Sequence, residues 1–336
     1  MRLKSEIKMK TAQDLIRSIE EDKISMLTTE DFKLEFTKKE LNEYVHFCIV
    51  SKSLESVEIK DIDFNPVIEE VLGRALPLNN SVKKLELNNL RSFDEAGGSL
   101  KELLQFNTCI EELVIANNSK INEVLSYISP NLEANIEIKK LGIISSSLND
   151  DGIIVLSDII KNNTSFNEID LSHQPLDGKS LPELFKIINK KENILSLGLS
   201  HTQCTLITAD NLSRELEDNE YLLNLDLSFN SFAKSLPWSF FQFLNSKSKL
   251  LNLNLKNCDL NRFCASNLAR TFSNNPQFES IDLSDNNMRD LGVTIISRYA
   301  KELNCLTSLD LRNNNTTKLA PHLVQETLEG IVTYQI

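Results

Sequence analysis

Apolar residues return along this chain in a fixed pattern. From Leu222 the sequence LLNLDLSFNSF sets Leu222, Leu225 and Leu227 at steps of three and two, followed by Asn230 and Phe232. The same frame, L-x-x-L-x-L-x-x-N-x-L, recurs from Leu250, Phe278 and Leu306, and earlier from Ile194 and Phe166. Looser copies start at Ile138, Ile110, Val82 and Leu54. Each start lies 28 residues after the last with no insertion, so residues 54–316 read as ten copies of one unit.

Each copy predicts two elements. The x-L-x-L run alternates at period two and reads as a short strand with its leucines turned inward. The residues after it carry helical spacing, as over 150–162, where Ile153, Leu156, Ile159 and Ile160 share one stripe. No unit can bury that stripe alone, so the units must stack. Stacked strands sit ~4.8 Å apart and neighbouring helices ~8–10 Å apart, which bends the stack. The expected fold class is therefore an α/β solenoid, a horseshoe with a concave parallel sheet and convex helices. Asn118, Asn230, Asn286 and Asn314, with Cys258, fall at the ninth slot of their units. There a small polar side chain is expected to satisfy loop backbone groups that would otherwise be buried unpaired.

The 28-residue period, the Asn/Cys slot and the element L-x-x-x-G-x-x-x-L resemble the ribonuclease-inhibitor subfamily of leucine-rich repeats. Leu148, Gly152 and Leu156 carry that element, and Met288, Gly292 and Ile296 carry a variant of it. The resemblance covers residues 54 to about 330 and implies a protein-binding horseshoe. Uninterrupted repeats in an Asn- and Lys-rich chain also resemble leucine-rich-repeat effectors that intracellular bacteria such as Legionella deliver into host cells. That second resemblance implies a cytoplasmic protein secreted into a host cell without a cleavable signal peptide, acting in virulence on a host partner.

A solenoid needs altered terminal units. Residues 1–53 read as an N-terminal helical cap with a degenerate repeat: helices over 11–21 and 40–51, and an imperfect strand over 33–36. Residues 317–336 read as a C-terminal helix (319–330) and cap, leaving no expected room for an enzymatic domain. The Cys-x-Asp nucleophile of bacterial leucine-rich-repeat ubiquitin ligases is not matched, since Cys258-Asp259 sits inside a repeat.

Composition narrows the function. The net charge is −12, which argues against a nucleic-acid ligand, because phosphate contacts need a basic face. No segment approaches the ~20 apolar residues of a membrane span. Six scattered cysteines lack the close pairs of a zinc site. With no Gly-rich phosphate loop and no metal-ligand cluster, neither a cofactor nor catalysis is expected. The chain reads as a monomeric, non-catalytic scaffold for another protein. The alternative is a regulator of an enzyme, such as a GTPase activator or a ribonuclease-inhibitor-like protein, with Arg312 as the one concave arginine.

Numbering each unit from its first apolar residue, slots 3, 5 and 7 face the concavity and slot 8 enters the ascending loop. Slot 5 holds Glu58, Glu86, Val114, Gly142, Asp170, Gly198, Asp226, Asn254, Asp282 and Asp310. Like charges on neighbouring strands repel, so the strip reads as a surface for a partner with a basic face rather than as a choice made for stability. At slot 8, His173, His201 and Phe229 are consecutive; they either pack along the loop ridge or serve as contact anchors, as large rings on a rigid edge typically do. A metal site built from His173, His201 and Asp170 or Asp226 is disfavoured, because side chains alternate in direction along a strand. The candidate contact residues are thus Asp170, His173, His201, Asp226, Phe229, Asp282, Asp310 and Arg312. Trp238 reads as core or rim packing.

Overall fold

In the computed structural model, residues 11–176, 179–232, 234–246, 248–317 and 333–335 are described. The chain forms two compact units, residues 1–147 and 148–336.

The first unit runs α1 (Ala12–Glu20), β1 (Met26–Leu27), α2 (Thr29–Phe32), α3 (Lys38–Val50), β2 (Ser56–Lys60), α4 (Pro66–Glu70), β3 (Lys84–Asn88), α5 (Gly97–Phe106), β4 (Glu112–Ala116), α6 (Ile121–Ala134) and β5 (Lys140–Ile144). Its strands pair in parallel and in chain order. The second unit continues α7 (Asp150–Asn162), β6 (Glu168–Asp170), α8 (Leu181–Asn189), β7 (Ser196–Gly198), α9 (Leu206–Glu215), β8 (Asn224–Asp226), α10 (Trp238–Asn245), β9 (Asn252–Asn254), α11 (Arg262–Thr271), β10 (Ser280–Asp282), α12 (Arg289–Ala300), β11 (Ser308–Asp310) and β12 (Thr333–Gln335). These strands also pair in parallel, each with the next. Register keeps slot against slot, with Gly198 opposite Asp226 and Asp282 opposite Asp310. The fold is an α/β leucine-rich-repeat solenoid.

The core lies between sheet and helices. Leucines and isoleucines at slots 4 and 6, such as Leu225 and Leu227, are buried against helix stripes such as Ile153, Leu156, Ile159 and Ile160 of α7. Gly292 of α12 shows how closely the helices approach, since a Cβ there would lie 3.2 Å from Ala265 Cβ of α11 and 2.7 Å from Met288 Cβ.

Within the cap the strand falls at Met26–Leu27 rather than over 33–36. Leu27 sits opposite Val57, and both are fully buried. Immediately after it, the Thr28–Asp31 capping box turns the chain into α2. The helix expected over 319–330 lies outside the described residues.

Two sets of side chains hold the loops. At slot 9, Asn230 Oδ1 accepts from Thr202 N–H at 3.0 Å and Cys204 N–H at 2.9 Å. Its Nδ2 donates to Leu199 O at 2.7 Å and Leu227 O at 2.9 Å. Asn286 repeats this arrangement one unit after Cys258, whose Sγ takes the corresponding place against Leu227 O at 3.2 Å. A second ladder, not foreseen from the apolar frame, stands where each helix descends to the next strand. Asn79, Asn107, Asn135, Asn163 and Asn219 each accept from the N–H groups two and three residues on. Lys191 replaces Asn in this series and donates to Lys161 O and Asn163 O.

Candidate protein-binding site

All ten slot-8 residues adopt left-handed backbone, with φ between 49° and 61°. In eight of them this turn lets the slot-8 N–H donate to the slot-7 carbonyl of the following repeat. His173 reaches Ser200 O, His201 reaches Ser228 O and Phe229 reaches Lys256 O, each at 2.8 Å. Seven of the ten are Asp, Asn or Ser, and the Asn and Asp among them are the residues that tolerate this region best. The other three are His173 and His201, a residue type also enriched in this region, and Phe229, for which it is uncommon.

The three rings form a continuous ridge on the second unit. His173 stacks on His201 at 5.3 Å between centroids with planes 22° apart. His201 tilts against Phe229 at 6.2 Å, and Lys256 Nζ lies 5.9 Å from the Phe229 ring. Lys256 then reaches Asp285 at 3.2 Å, which also accepts from Asn313 at 2.7 Å. Asn313 and Lys256 together hold the Asp285 carboxyl below the usual range. All three rings are exposed, Phe229 to 42%. The ridge is therefore both fixed and open to a partner.

The acidic slot-5 residues have a structural task that the sequence reading missed. Asp170, Asp226, Asp282 and Asp310 each accept, through Oδ1, the N–H of their own slot-7 residue: Ser172 at 3.0 Å, Ser228 at 2.8 Å, Ser284 at 2.9 Å and Arg312 at 3.0 Å. Asn254 does the same for Lys256. Where Gly198 supplies no side chain, Ser200 N–H turns to Ser172 Oγ at 3.2 Å. Short acidic side chains at slot 5 thus stabilise the strand ends, and the premise that stability gains nothing from them is corrected. Repulsion is also diluted, because Gly198 and Asn254 separate Asp170, Asp226 and Asp282.

Above these residues lies a shallow trough of about 390 Å³ lined by Asp170, Ser196, Gly198, Asp226, Asn254 and Asp282 among others. A Cβ at Gly198 would meet Asp170 Oδ1 at 2.7 Å, so glycine gives that carboxylate its room. Among the described residues no cation pairs with Asp170, Asp226 or Asp282. Arg312, by contrast, is clamped by Asp310 of its own strand, Nη2 to Oδ2 at 2.6 Å.

The structure places Trp238 outside the core, 68% exposed at the start of α10. Cys258 is fully buried, and burial pushes its thiol up to about 12, far from a nucleophilic thiolate at neutral pH. Among the described residues no three His, Cys, Asp or Glu side chains cluster as a metal site, and no helix is long and apolar enough to cross a membrane.

No protein-family model and no curated protein matches the sequence. Among solved structures, the yeast Rad7–Elc1 complex is similar at TM-score 0.62 and 15% identity, covering 93% of this chain and 76% of that one. An internalin of Listeria monocytogenes is more loosely similar, at TM-score 0.47 and 17% identity over 97% of this chain and 89% of its own. At such identities the likeness is one of fold, that of a leucine-rich-repeat protein.

Proposed function

We propose that this chain is a non-catalytic scaffold that grips a partner protein with the His173–His201–Phe229 ridge and the acidic trough beside it. One observation carries the reading: three consecutive rings occupy a left-handed position that seven other units fill with Asp, Asn or Ser. The fold needs the left-handed turn at this slot in every unit, but smaller polar side chains serve the turn elsewhere, so the rings themselves find their return in contact with something else. Exposed, rigid aromatic rings suit an interface anchor. The carboxylates of Asp170, Asp226 and Asp282, each with an oxygen left over after its backbone bond, suit a partner with a basic face.

The finer reading follows the sequence resemblance. The 28-residue period and the Asn/Cys ladder support a ribonuclease-inhibitor-like subtype. The Asn- and Lys-rich composition supports an effector that works as a monomer inside a host cell.

The test is affinity capture from a eukaryotic cell lysate, with the native chain beside the triple variant His173→Asn, His201→Asn, Phe229→Asn. Asparagine tolerates the left-handed backbone, so the variant should melt at the same temperature or slightly higher. The captured partner should be lost. Recovery of the same partner by both proteins would sink the ridge as the binding site. For the trough, Asp226→Lys with Asp282→Lys should weaken the complex, and the native complex should weaken with salt; a salt-insensitive complex would exclude a basic partner.

A further inference from the structure

The first turns of α9 to α12 carry a second surface, with a different chemistry. Ile207 is 74% exposed, Trp238 68%, Phe263 65% and Leu291 55%. α9 packs on α10, α10 on α11 and α11 on α12, so these side chains form a row across four neighbouring helices. Isolated exposed apolar residues are ordinary, whereas four large ones on consecutive helices make a patch that calls for a partner. Ile207, Phe263 and Leu291 hold the same position in their units and Trp238 one three residues later; at these two positions α7 carries Asp151 and the exposed Ile154.

The rim of this row is cationic. Lys234, Arg262 and Arg289 are exposed, and no carboxylate pairs with any of them among the described residues. Nearby acids are engaged elsewhere. Asp210 accepts from Ser239 at 2.6 Å and from Arg214 at 2.8 Å, while Asp290 accepts from the N–H and hydroxyl of Thr317. Arg262 lies over the Phe263 ring at 4.9 Å. Positive charge in a first helical turn opposes the helix dipole, so Arg262 and Arg289 do not serve α11 and α12. In a chain of net charge −12, this edge is apolar with a basic border.

We propose that this edge docks an acidic amphipathic helix of a partner protein. Neighbouring helices stand ~8–10 Å apart, close to the ~10.5 Å that seven residues advance along an α-helix. A ligand helix of roughly 22 residues, apolar at every seventh position, meets Ile207, Trp238, Phe263 and Leu291 in turn. Carboxylates flanking its apolar stripe meet Lys234, Arg262 and Arg289. An anionic bilayer fits less well, because an extended plane spans more of a molecule whose net charge is −12, whereas a helix meets the edge alone. The row shares no residue with the ring ridge, so either surface can fail without the other.

Trp238 is the single tryptophan of the chain, so its fluorescence reads occupancy directly. The probes are a synthetic helical peptide of about 24 residues with Leu at every seventh position and flanking Glu, a twin with Lys for Glu, and vesicles of phosphatidylcholine and phosphatidylserine. The Glu peptide should shift Trp238 emission to the blue saturably and bind about tenfold tighter than its twin. Arg262→Glu with Arg289→Glu should reverse that preference, and Phe263→Ser should weaken binding, followed by anisotropy of a labelled peptide. The His173→Asn, His201→Asn, Phe229→Asn variant should bind the peptide as the native chain does. Circular dichroism checks that these surface changes leave the fold intact. Equal binding of the two peptides, no saturable shift, or a shift with vesicles alone would overturn the proposal.

Discussion

In β2 to β5 each strand is five residues long and pairs through slot 7, with Lys60 opposite Asn88 and Ala116 opposite Ile144. In β6 to β11 each strand is three residues long and pairing stops at slot 5. The repeat length and the slot-8 turn are the same in both, so neither explains the change. The residues at slot 5 differ. The first unit has Glu58, Glu86, Val114 and Gly142 there, and the slot-7 N–H of Lys60 donates to Thr29 Oγ1 at 2.7 Å. In the second unit a shorter Asp or Asn side chain at slot 5 captures the slot-7 N–H within its own unit, everywhere except at Gly198. In both units slot-6 carbonyls accept from slot-9 asparagines, Leu87 O from Asn118 and Leu199 O and Leu227 O from Asn230. A short Asp or Asn at slot 5 thus accompanies the three-residue strands of the second unit, with Gly198 in β7 as the exception.

The two sheet faces also differ in charge. In the first unit Lys60 pairs with Glu58 and Glu86, and Lys84 and Lys140 both approach Glu112, so acids and bases offset one another across strands. In the second unit Asp170, Asp226 and Asp282 bond backbone and have no cation partner among the described residues, whereas Asp310 pairs with Arg312. The acidic trough is therefore at least in part a by-product of strand-end chemistry.

The largest expected effect tests the shared dependence on slot 9. Asn230→Ala leaves Thr202 N–H, Cys204 N–H, Leu199 O and Leu227 O short of partners, and should cost on the order of 3 kcal/mol in urea unfolding. Asn118→Ala in the first unit removes fewer bonds (one accepted from Leu90 N–H, two donated to Leu87 O and Ala116 O) and should cost about half as much. Equal losses would mean that the second unit does not lean more heavily on its asparagines.

A smaller effect separates the two roles of slot 5. Asp226→Ala removes the bond to Ser228 N–H and should cost about 1 kcal/mol, while Asp226→Asn keeps it and should stay within ~0.5 kcal/mol of the native chain. If alanine and asparagine behaved alike, the carboxylate would not be ending the strand. Because asparagine removes the charge and keeps the bond, Asp170→Asn, Asp226→Asn and Asp282→Asn together read partner binding with stability held constant.

Much of this was legible in the chain. The apolar frame located every strand from β2 to β11, because those positions repeat with little variation, and it fixed the slot at which Asn118, Asn230, Asn286 and Asn314 stand. The ring ridge was visible as three consecutive residues at slot 8, but not its left-handed backbone, although Asp61, Asn89, Asn117, Asn257, Asp285 and Asn313 at the same slot carried that signal. The second asparagine ladder was equally periodic and was missed because Asn79, Asn107 and Asn135 lie among loop residues with no apolar pattern. Trp238 could not be placed from spacing: α10 starts later in its unit than α9 or α11, and that offset puts the indole on the outside.

The smallest effect lies in the first unit and depends on pH. Burial pushes the Glu86 carboxyl up, but Lys60 at 3.2 Å more than offsets this and leaves it below its ordinary value of 4.5. A carboxyl lowered on folding adds stability that is fully present above its unfolded value and disappears as pH falls through its folded value. The urea midpoint of the native chain should therefore drop below about pH 4.5, and Glu86→Gln should remove part of that slope while changing little at pH 7. Raised salt should blunt the same slope, because Lys60 is only partly buried. An unchanged slope in Glu86→Gln would show that the cross-strand charges of the first unit contribute nothing, and that its longer strands hold by backbone pairing alone.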